Sequence, residues 1–576
     1  MKKFFSNIFS SIIALIVFSF ISIASTIFII AILSQDDIIS ISDQSILKLD
    51  FSESVVERSS GNPFGEINPM DFSFTQTTEL SALIKVIDRA KDDQRIKGIY
   101  LNLSSFSLGV SQVEEIRSKL QDFKSNGKFI YSYSETYSQM SYYLASISDK
   151  IFLNPEGYVE LNGISAGVMF FKELLDKAGL EAQIIRHGKF KSAVEPYMYN
   201  SMSEENRFQL EKMLNSLMDK IISDISLSRK ISIQSINYAM NNLFLNNAEK
   251  CKELSFIDYI TYEDEFKSHI EEEILDYEFI SFSDYENSLK PDLFNEDKIA
   301  VIYANGPINT GKGTYNAIGS ESLVEDINSA ANDKSIKAIV LRINSPGGSA
   351  LASDIILREV ELAKKKKKII VSMGEYAASG GYYIGCIADK IYANSNTITG
   401  SIGVFGVILN TKSLLNDKLG VYVDTVNTHK YSDMFSGTRP LTKFEKGVVQ
   451  NSVKEVYNTF ISHVSKGRNL SKEDVDKIGQ GRVWSGIHAK EIGLVDEIGG
   501  LEEAITAAAQ LSSLENYTVI EYPLKDDPFA DIFMDFSVSS YLSNEFRKIG
   551  IPIENIKFYD DLDYIQTRMM MILDLN

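Results

Sequence analysis

Two residues in this chain have the types and settings for acyl-transfer chemistry: a serine among small residues and a lysine far from it in sequence. Ser379 stands in Ala377-Ala-Ser-Gly-Gly381, just after the apolar run Ile369-Ile-Val-Ser372. A serine on a tight strand-to-helix turn projects its hydroxyl and leaves backbone N–H groups open at the helix start. The N–H of Gly380, with one from Gly347 or Gly348 in Asn344-Ser-Pro-Gly-Gly348, could then form an oxyanion hole. Each such donor is worth about 3–4 kcal/mol. Tight packing of a helix on a strand would explain so short a motif equally well.

A serine nucleophile needs a base, and histidine is scarce. The five histidines form no HExxH or similar cluster, and His187, alone on an apolar stretch, reads as structural. Lys191, in Lys189-Phe-Lys-Ser-Ala-Val-Glu-Pro196, can serve if burial and hydrogen bonds keep its amine neutral near pH 7. A surface lysine is the competing reading. Ser45-Ile-Leu-Lys48 matches an SxxK pattern but lacks companion motifs and reads as chance. Cys251 and Cys386 are too few for a disulfide framework and lack ligand spacing, so neither a metal nor a cofactor is implied.

The elements that must position these residues occur twice. Arg95-Ile-Lys-Gly-Ile-Tyr-Leu-Asn-Leu103 returns 240 positions later as Ser335-Ile-Lys-Ala-Ile-Val-Leu-Arg-Ile343. Ser148-Asp-Lys-Ile-Phe152 returns as Ala388-Asp-Lys-Ile-Tyr392, and Cys251-Lys-Glu-Leu-Ser-Phe-Ile-Asp258 as Ala489-Lys-Glu-Ile-Gly-Leu-Val-Asp496. Matches at near-constant offset mark a tandem duplication. In each copy, short β-branched runs such as Ile299–Tyr303, Ala338–Arg342 and Ile369–Ser372 alternate with helical patterns such as Ser353–Ala363. That alternation predicts an α/β fold with buried, largely parallel sheets. Thr442-Lys-Phe-Glu445 is a capping box opening a long helix, and Ser203-Glu-Glu-Asn206 sits at the equivalent place. The expected organisation is an anchor over 1–35, one repeat over 45–290, a second over 296–524, and a tail over 525–576 with no partner in the repeat.

The copies disagree where chemistry is carried. Ser379 corresponds to Gln139, Gly380-Gly381 to Met140-Ser141, and Gly347-Gly348 to Ser107-Leu108. Conversely, Lys191 corresponds to Ser432, when Phe190 is aligned with Tyr431. One copy lacks the nucleophile and the other lacks the lysine, so the predicted site needs both.

After Met1-Lys2-Lys3 the chain runs from Phe4 to Gln35 without a charge. A secretory signal needs only about 7–15 apolar residues, whereas a bilayer span takes about 20. An uncleaved transmembrane anchor is expected, with Lys2 and Lys3 holding the N-terminus in the cytoplasm. The net charge of -20 excludes nucleic acid as the main partner, because phosphate binding needs a basic face. Lys364–Lys368, the one dense basic run, reads as a solvated helix C-terminus.

Together, Ala377-Ala-Ser-Gly-Gly-Tyr382, Asn344-Ser-Pro-Gly-Gly348, Thr399-Gly-Ser-Ile-Gly403 and Phe190-Lys-Ser-Ala-Val-Glu-Pro196 resemble the signal peptide peptidase A family, in its long, duplicated type. The resemblance spans about Ser45 to Leu524. It implies two Clp protease/crotonase-like repeats behind an N-terminal transmembrane helix. It also implies a serine endopeptidase that degrades cleaved signal peptides and similar apolar peptides, with Ser379 as nucleophile and Lys191 as general base. Ser401 maps onto a second serine that orients the lysine. A homotetramer in the bacterial inner membrane, with its sites on the periplasmic side, is implied as well. A crotonase-like acyl-CoA enzyme and a non-catalytic membrane scaffold are the alternatives.

Overall fold

A computed structural model describes residues 41–59, 77–289, 295–314 and 316–525, the backbone of Ile565–Arg568, and six isolated positions between 14 and 25. The predicted anchor, 1–35, lies almost wholly outside the described residues. Among the described residues, no helix is long and apolar enough to cross a membrane.

The duplication is visible in the sheets. The first is six parallel strands in the order Tyr259–Ile260, Lys150–Leu153, Phe129–Ser134, Ile96–Asn102, Ser45–Asp50 and Glu278–Ser281. The second repeats it strand for strand as Glu497–Ile498, Lys390–Ala393, Lys368–Ala378, Ile336–Ser345, Lys298–Asn305 and Thr518–Tyr522. The central strands, such as Ile96–Asn102 and Ile336–Ser345, are mostly buried because both faces are covered, as parallel sheets require. Each half has its own main core, one around Ile99, Leu101 and Ile130, the other around Ile339, Leu341 and Val371. The predicted strands and both long helices, Glu204–Arg229 and Lys443–Arg468, are present. Thr442 and Glu445 form the expected capping box, and Ser203 accepts from the Asn206 N–H.

The halves exchange elements, which two-fold repetition alone does not dictate. Strand Glu181–His187 of the first half pairs antiparallel with Val404–Asn410 of the second, from Val404 opposite His187 to Asn410 opposite Glu181. Ile185 is thereby buried in the second half's core. From helix Glu204–Arg229, Leu210, Met213 and Leu217 pack on Ile398 and Val483. Burial of this kind stabilises by about 25 cal/mol per Å² of apolar surface, so the crossing elements are held by hydrophobic contact as well as by the ladder.

Candidate active site

Ser379 ends a strand and opens a helix. Lys368–Ala378 runs beyond its first-half counterpart and aligns Tyr376, Ala377 and Ala378 with Ile398, Thr399 and Gly400. Helix Gly380–Gly385 starts immediately afterwards. Between them Ser379 takes φ 57° and ψ -115°, a conformation that side-chain-bearing residues rarely adopt. Its N–H donates to Gly400 O at 2.8 Å and its carbonyl accepts from the Tyr383 N–H at 2.9 Å, so both backbone groups hold the turn. The Gly-Gly that follows is a packing requirement as well: a Cβ on Gly381 would fall 2.5 Å from Ser345 O.

Lys191 arrives from the other half. Four residues after the exchanged strand ends at His187, it caps the 3-10 turn Ser192–Tyr197. Its Nζ lies 2.7 Å from Ser379 Oγ, 3.1 Å from Ser401 Oγ and 3.2 Å from Ser401 O. The side chain is 1% exposed, and burial pulls its pKa from the ordinary 10.5 down to about 7. A buried lysine with no carboxylate partner favours its neutral form, because the ammonium has lost its hydration without Coulombic repayment. The neutral amine has two N–H groups and one lone pair, which matches three oxygen contacts. Ser401, also at positive φ (51°), sits beside the strand that leads into Ser379 through the pairing of Ala378 with Gly400.

Several residues that hold this arrangement carry no motif of their own. The turn Gly479-Gln-Gly-Arg482 wraps the lysine: Gln480 O accepts from the Phe190 N–H at 3.0 Å, and Arg482 O from the Ser401 N–H at 2.7 Å. Gly481 has φ 83°, and a Cβ there would lie 2.6 Å from the Lys191 backbone. Gln209 donates to Phe190 O at 3.1 Å and to Ser192 Oγ at 3.0 Å while accepting from the Val483 N–H at 3.3 Å, stapling the lysine's segment to the second half. An isolated pair of glycines after a helix is the one sequence signal that could have drawn attention to this turn.

The other predicted residues fall into place unevenly. Gly380, as first residue of its helix, has an N–H with no intrahelical acceptor. Gly347 and Gly348 form strand Gly347–Ser349 against that helix, after Ser345 has paired with Ala377. The Gly347 N–H donates to Ser345 Oγ at 3.2 Å, so Gly380 is the better-placed oxyanion donor of those two. His187 packs against Tyr457 with ring centroids 4.1 Å apart and the planes tilted by 36°. In the first half, Gln139 occupies the position equivalent to Ser379 and its Oε1 accepts from the Gly163 N–H at 2.8 Å. Ser432, the counterpart of Lys191, is exposed in a loop. Among the described residues no group of His, Cys, Asp or Glu could hold a metal ion.

The duplication also appears in comparison with known proteins. The sequence model of peptidase family S49 matches the chain twice, over residues 122–274 and 361–515. The chain is similar to Protease 4 of Salmonella typhi, 35% identical over 516 residues, covering 86% of this chain and 82% of that protein. It is similar to Protease 4 of Haemophilus influenzae at 38% over 493 residues, covering 82% and 78%. It is likewise similar to the chloroplastic serine protease SPPA of Arabidopsis thaliana at 33% over 475 residues, covering 80% and 70%.

Proposed function

The chain belongs to peptidase family S49 and is a serine peptidase of the long Protease 4 type; on that premise we propose that Ser379 is its nucleophile and Lys191 its general base. The observation that carries this reading is the 2.7 Å approach of a buried, carboxylate-free lysine amine to a serine hydroxyl on a strained turn. In the proposed reaction, Ser379 Oγ attacks the peptide carbonyl carbon as its proton passes to Lys191 Nζ. The Gly380 N–H faces the developing oxyanion, and the ammonium returns the proton to the departing amine. Water, deprotonated by the same amine, then releases the acyl group and regenerates Ser379. Ser401, through its hydroxyl and carbonyl, orients the amine.

The pH dependence follows from the lysine. Below about pH 7 the ammonium has no lone pair to accept the serine proton. Labelling of the protein by a serine-directed acylating probe is therefore expected to slow about tenfold per pH unit below 7 and to level off above it. Peptide mapping should place the label on Ser379. A label on another serine, or a rate indifferent to pH between 5 and 9, sinks the assignment.

Short apolar peptides left in a membrane, signal peptides among them, are the proposed substrates, and an N-terminal span in the inner membrane is proposed to hold the site near them. What favours this is the uncharged run from Phe4 to Gln35. Exposed Leu419, Tyr422 and Val426 on one loop favour self-association, proposed as a homotetramer. The full chain should sediment with membranes after alkaline extraction and, in mild detergent, with the mass of four chains. A chain lacking residues 1–35 should stay soluble, and its persistence in the membrane pellet would remove the anchor from the proposal.

A further inference from the structure

The turn 479–482 joins the segments of Lys191 and Ser401 through its backbone alone. Gln480 O accepts from the N–H of Phe190, the residue before Lys191, and Arg482 O accepts from the Ser401 N–H. Between them, the Gly481 N–H donates to Ile402 O at 2.6 Å. Gln480 itself stands at φ 54°, a left-handed conformation that a side-chain-bearing residue keeps only when its surroundings impose it. A phenol holds it there. The Gln480 N–H donates to Tyr457 Oη at 3.0 Å, and that hydroxyl donates to Asp476 Oδ1 at 2.7 Å. Asp476 Oδ2 also accepts from Gln480 Nε2 at 3.4 Å. The turn sits directly on the end of the ring, since a Cβ on Gly479 would lie 3.2 Å from Tyr457 Oη.

Tyr457 lies on helix Lys443–Arg468 and is 1% exposed; Asp476 lies on the next helix, Lys472–Ile478. A hydroxyl has one proton, so giving it to the carboxylate turns the oxygen's lone pairs toward the Gln480 N–H. His187 packs against the ring, with Asp476 and Lys454 as the charges around its imidazole. The other copy lacks the pair. At the same distance from the matching caps Ser203 and Ser232 stand Met218 and Asn237, in the half that has Gln139 in place of Ser379. We propose that Tyr457 is a positioning residue of the peptidase: its hydroxyl, oriented by Asp476, locks the turn 479–482 and so keeps Lys191 and Ser401 in register with Ser379. This rests on the reading of Ser379 and Lys191 as nucleophile and base. Misplacing a reacting pair by about 1 Å costs on the order of a hundredfold in rate, so a buried hydroxyl behind the site governs turnover.

The test uses the full chain and two readouts. In Tyr457→Phe the Gln480 N–H loses its acceptor, and kcat for a short apolar peptide is expected to fall about tenfold with KM unchanged. The loosened turn also admits water to the Lys191 amine, and hydration favours the ammonium. The pH midpoint for acylation of Ser379 by a serine-directed probe is therefore expected to rise by about one unit. Asp476→Leu, at a partly exposed site, should move the midpoint the same way, and it decides the matter if Tyr457→Phe does not fold. Asp476→Asn keeps an acceptor for the phenol and should behave as the wild type. An unmoved midpoint in Tyr457→Phe, or in Asp476→Leu where the former does not fold, overturns the proposal even if activity drops, because lost packing lowers the rate without rehydrating the lysine. So does an Asp476→Asn midpoint displaced as far as that of Asp476→Leu. The dyad itself is judged on the wild type. A label absent from Ser379, or a rate indifferent to pH, removes Ser379 and Lys191 from their roles, whereas a titrating wild type with unmoved variants removes Tyr457 alone.

Discussion

Replacing Lys191 with methionine is expected to lower kcat/KM for peptide hydrolysis by about 10⁴-fold or more, and Ser379→Ala by a similar factor, with neither variant losing its fold. The reasoning is specific to this pair. Lys191 Nζ is the basic atom 2.7 Å from Ser379 Oγ, and His187, the one histidine on the adjoining strand, is committed to Tyr457. Methionine fills nearly the same volume, so packing against Gly403 and Gly481 is retained while the lone pair is lost. Stability should not suffer: a lysine whose pKa burial holds near 7 opposes folding at every pH below its ordinary 10.5, because the unfolded chain binds the proton more tightly than the folded chain does. That penalty is greatest below 7 and fades as pH rises from there to 10.5, so Lys191→Met should unfold no more easily than the wild type at neutral pH. Lys191→Arg should be as inactive as Lys191→Met, because a guanidinium keeps its proton. The double variant should be no worse than either single one, since residues acting as a unit are not additive. Steady-state hydrolysis with a circular-dichroism melt decides the matter. A Lys191→Met enzyme that folds and retains a tenth of wild-type activity would exclude the lysine as base.

How much of this was legible in the residues depended on where the information lay. Ser379 and Lys191 were legible because two copies of one fold could be compared: Gln139 and Ser432 stand where the partners are missing, and the structure places the complementary residues against each other. The strands were legible because buried parallel sheet writes itself as apolar runs, as in Ile339-Val-Leu341 and Ile369-Ile-Val371. The exchange of Glu181–His187 into the second half was not, since antiparallel pairing across more than two hundred residues leaves no periodic trace in either strand. The wrap of Gly479–Arg482 around Lys191 is equally silent, because its contacts are made by backbone carbonyls that every residue possesses. Strand Ile565–Arg568, in the tail after Leu524, gave no signal at all. Its pairing uses main-chain groups, and the repeat offered no counterpart to compare.

Arg342 was visible as a charged residue closing an apolar strand, opposite Asn102 in the other copy, but nothing in sequence named its partners. Its charged partners come from the first half. Arg342 Nε and Nη2 reach the two oxygens of Glu57 at 2.9 and 3.0 Å, Nη2 also reaches Glu115 Oε1 at 2.8 Å, and Nη1 donates to Ser372 Oγ at 2.8 Å. Glu115 further accepts from Asn394 Nδ2 at 2.7 Å and the Leu501 N–H at 3.1 Å. All three charged side chains are under 5% exposed. Burial opposes the arginine's charge, yet Glu115 and Glu57 more than offset it and hold the guanidinium firmly protonated. Such a cluster adds little net stability compared with an apolar replacement of all its members, but removing one member strands the others. Arg342→Met is therefore expected to cost about 3–5 kcal/mol, leaving two carboxylates buried without a cation between the halves. Because Ser379 and Lys191 approach from opposite halves, peptidase activity should fall at the same urea concentration as this joint opens, ahead of loss of helix signal. Adding Glu57→Gln and Glu115→Gln should recover most of the lost stability, since the charges and not the volume are what the arginine answers. An Arg342→Met chain with a wild-type urea midpoint, or a triple variant no more stable than the single one, would show that this charge cluster does not hold the halves together.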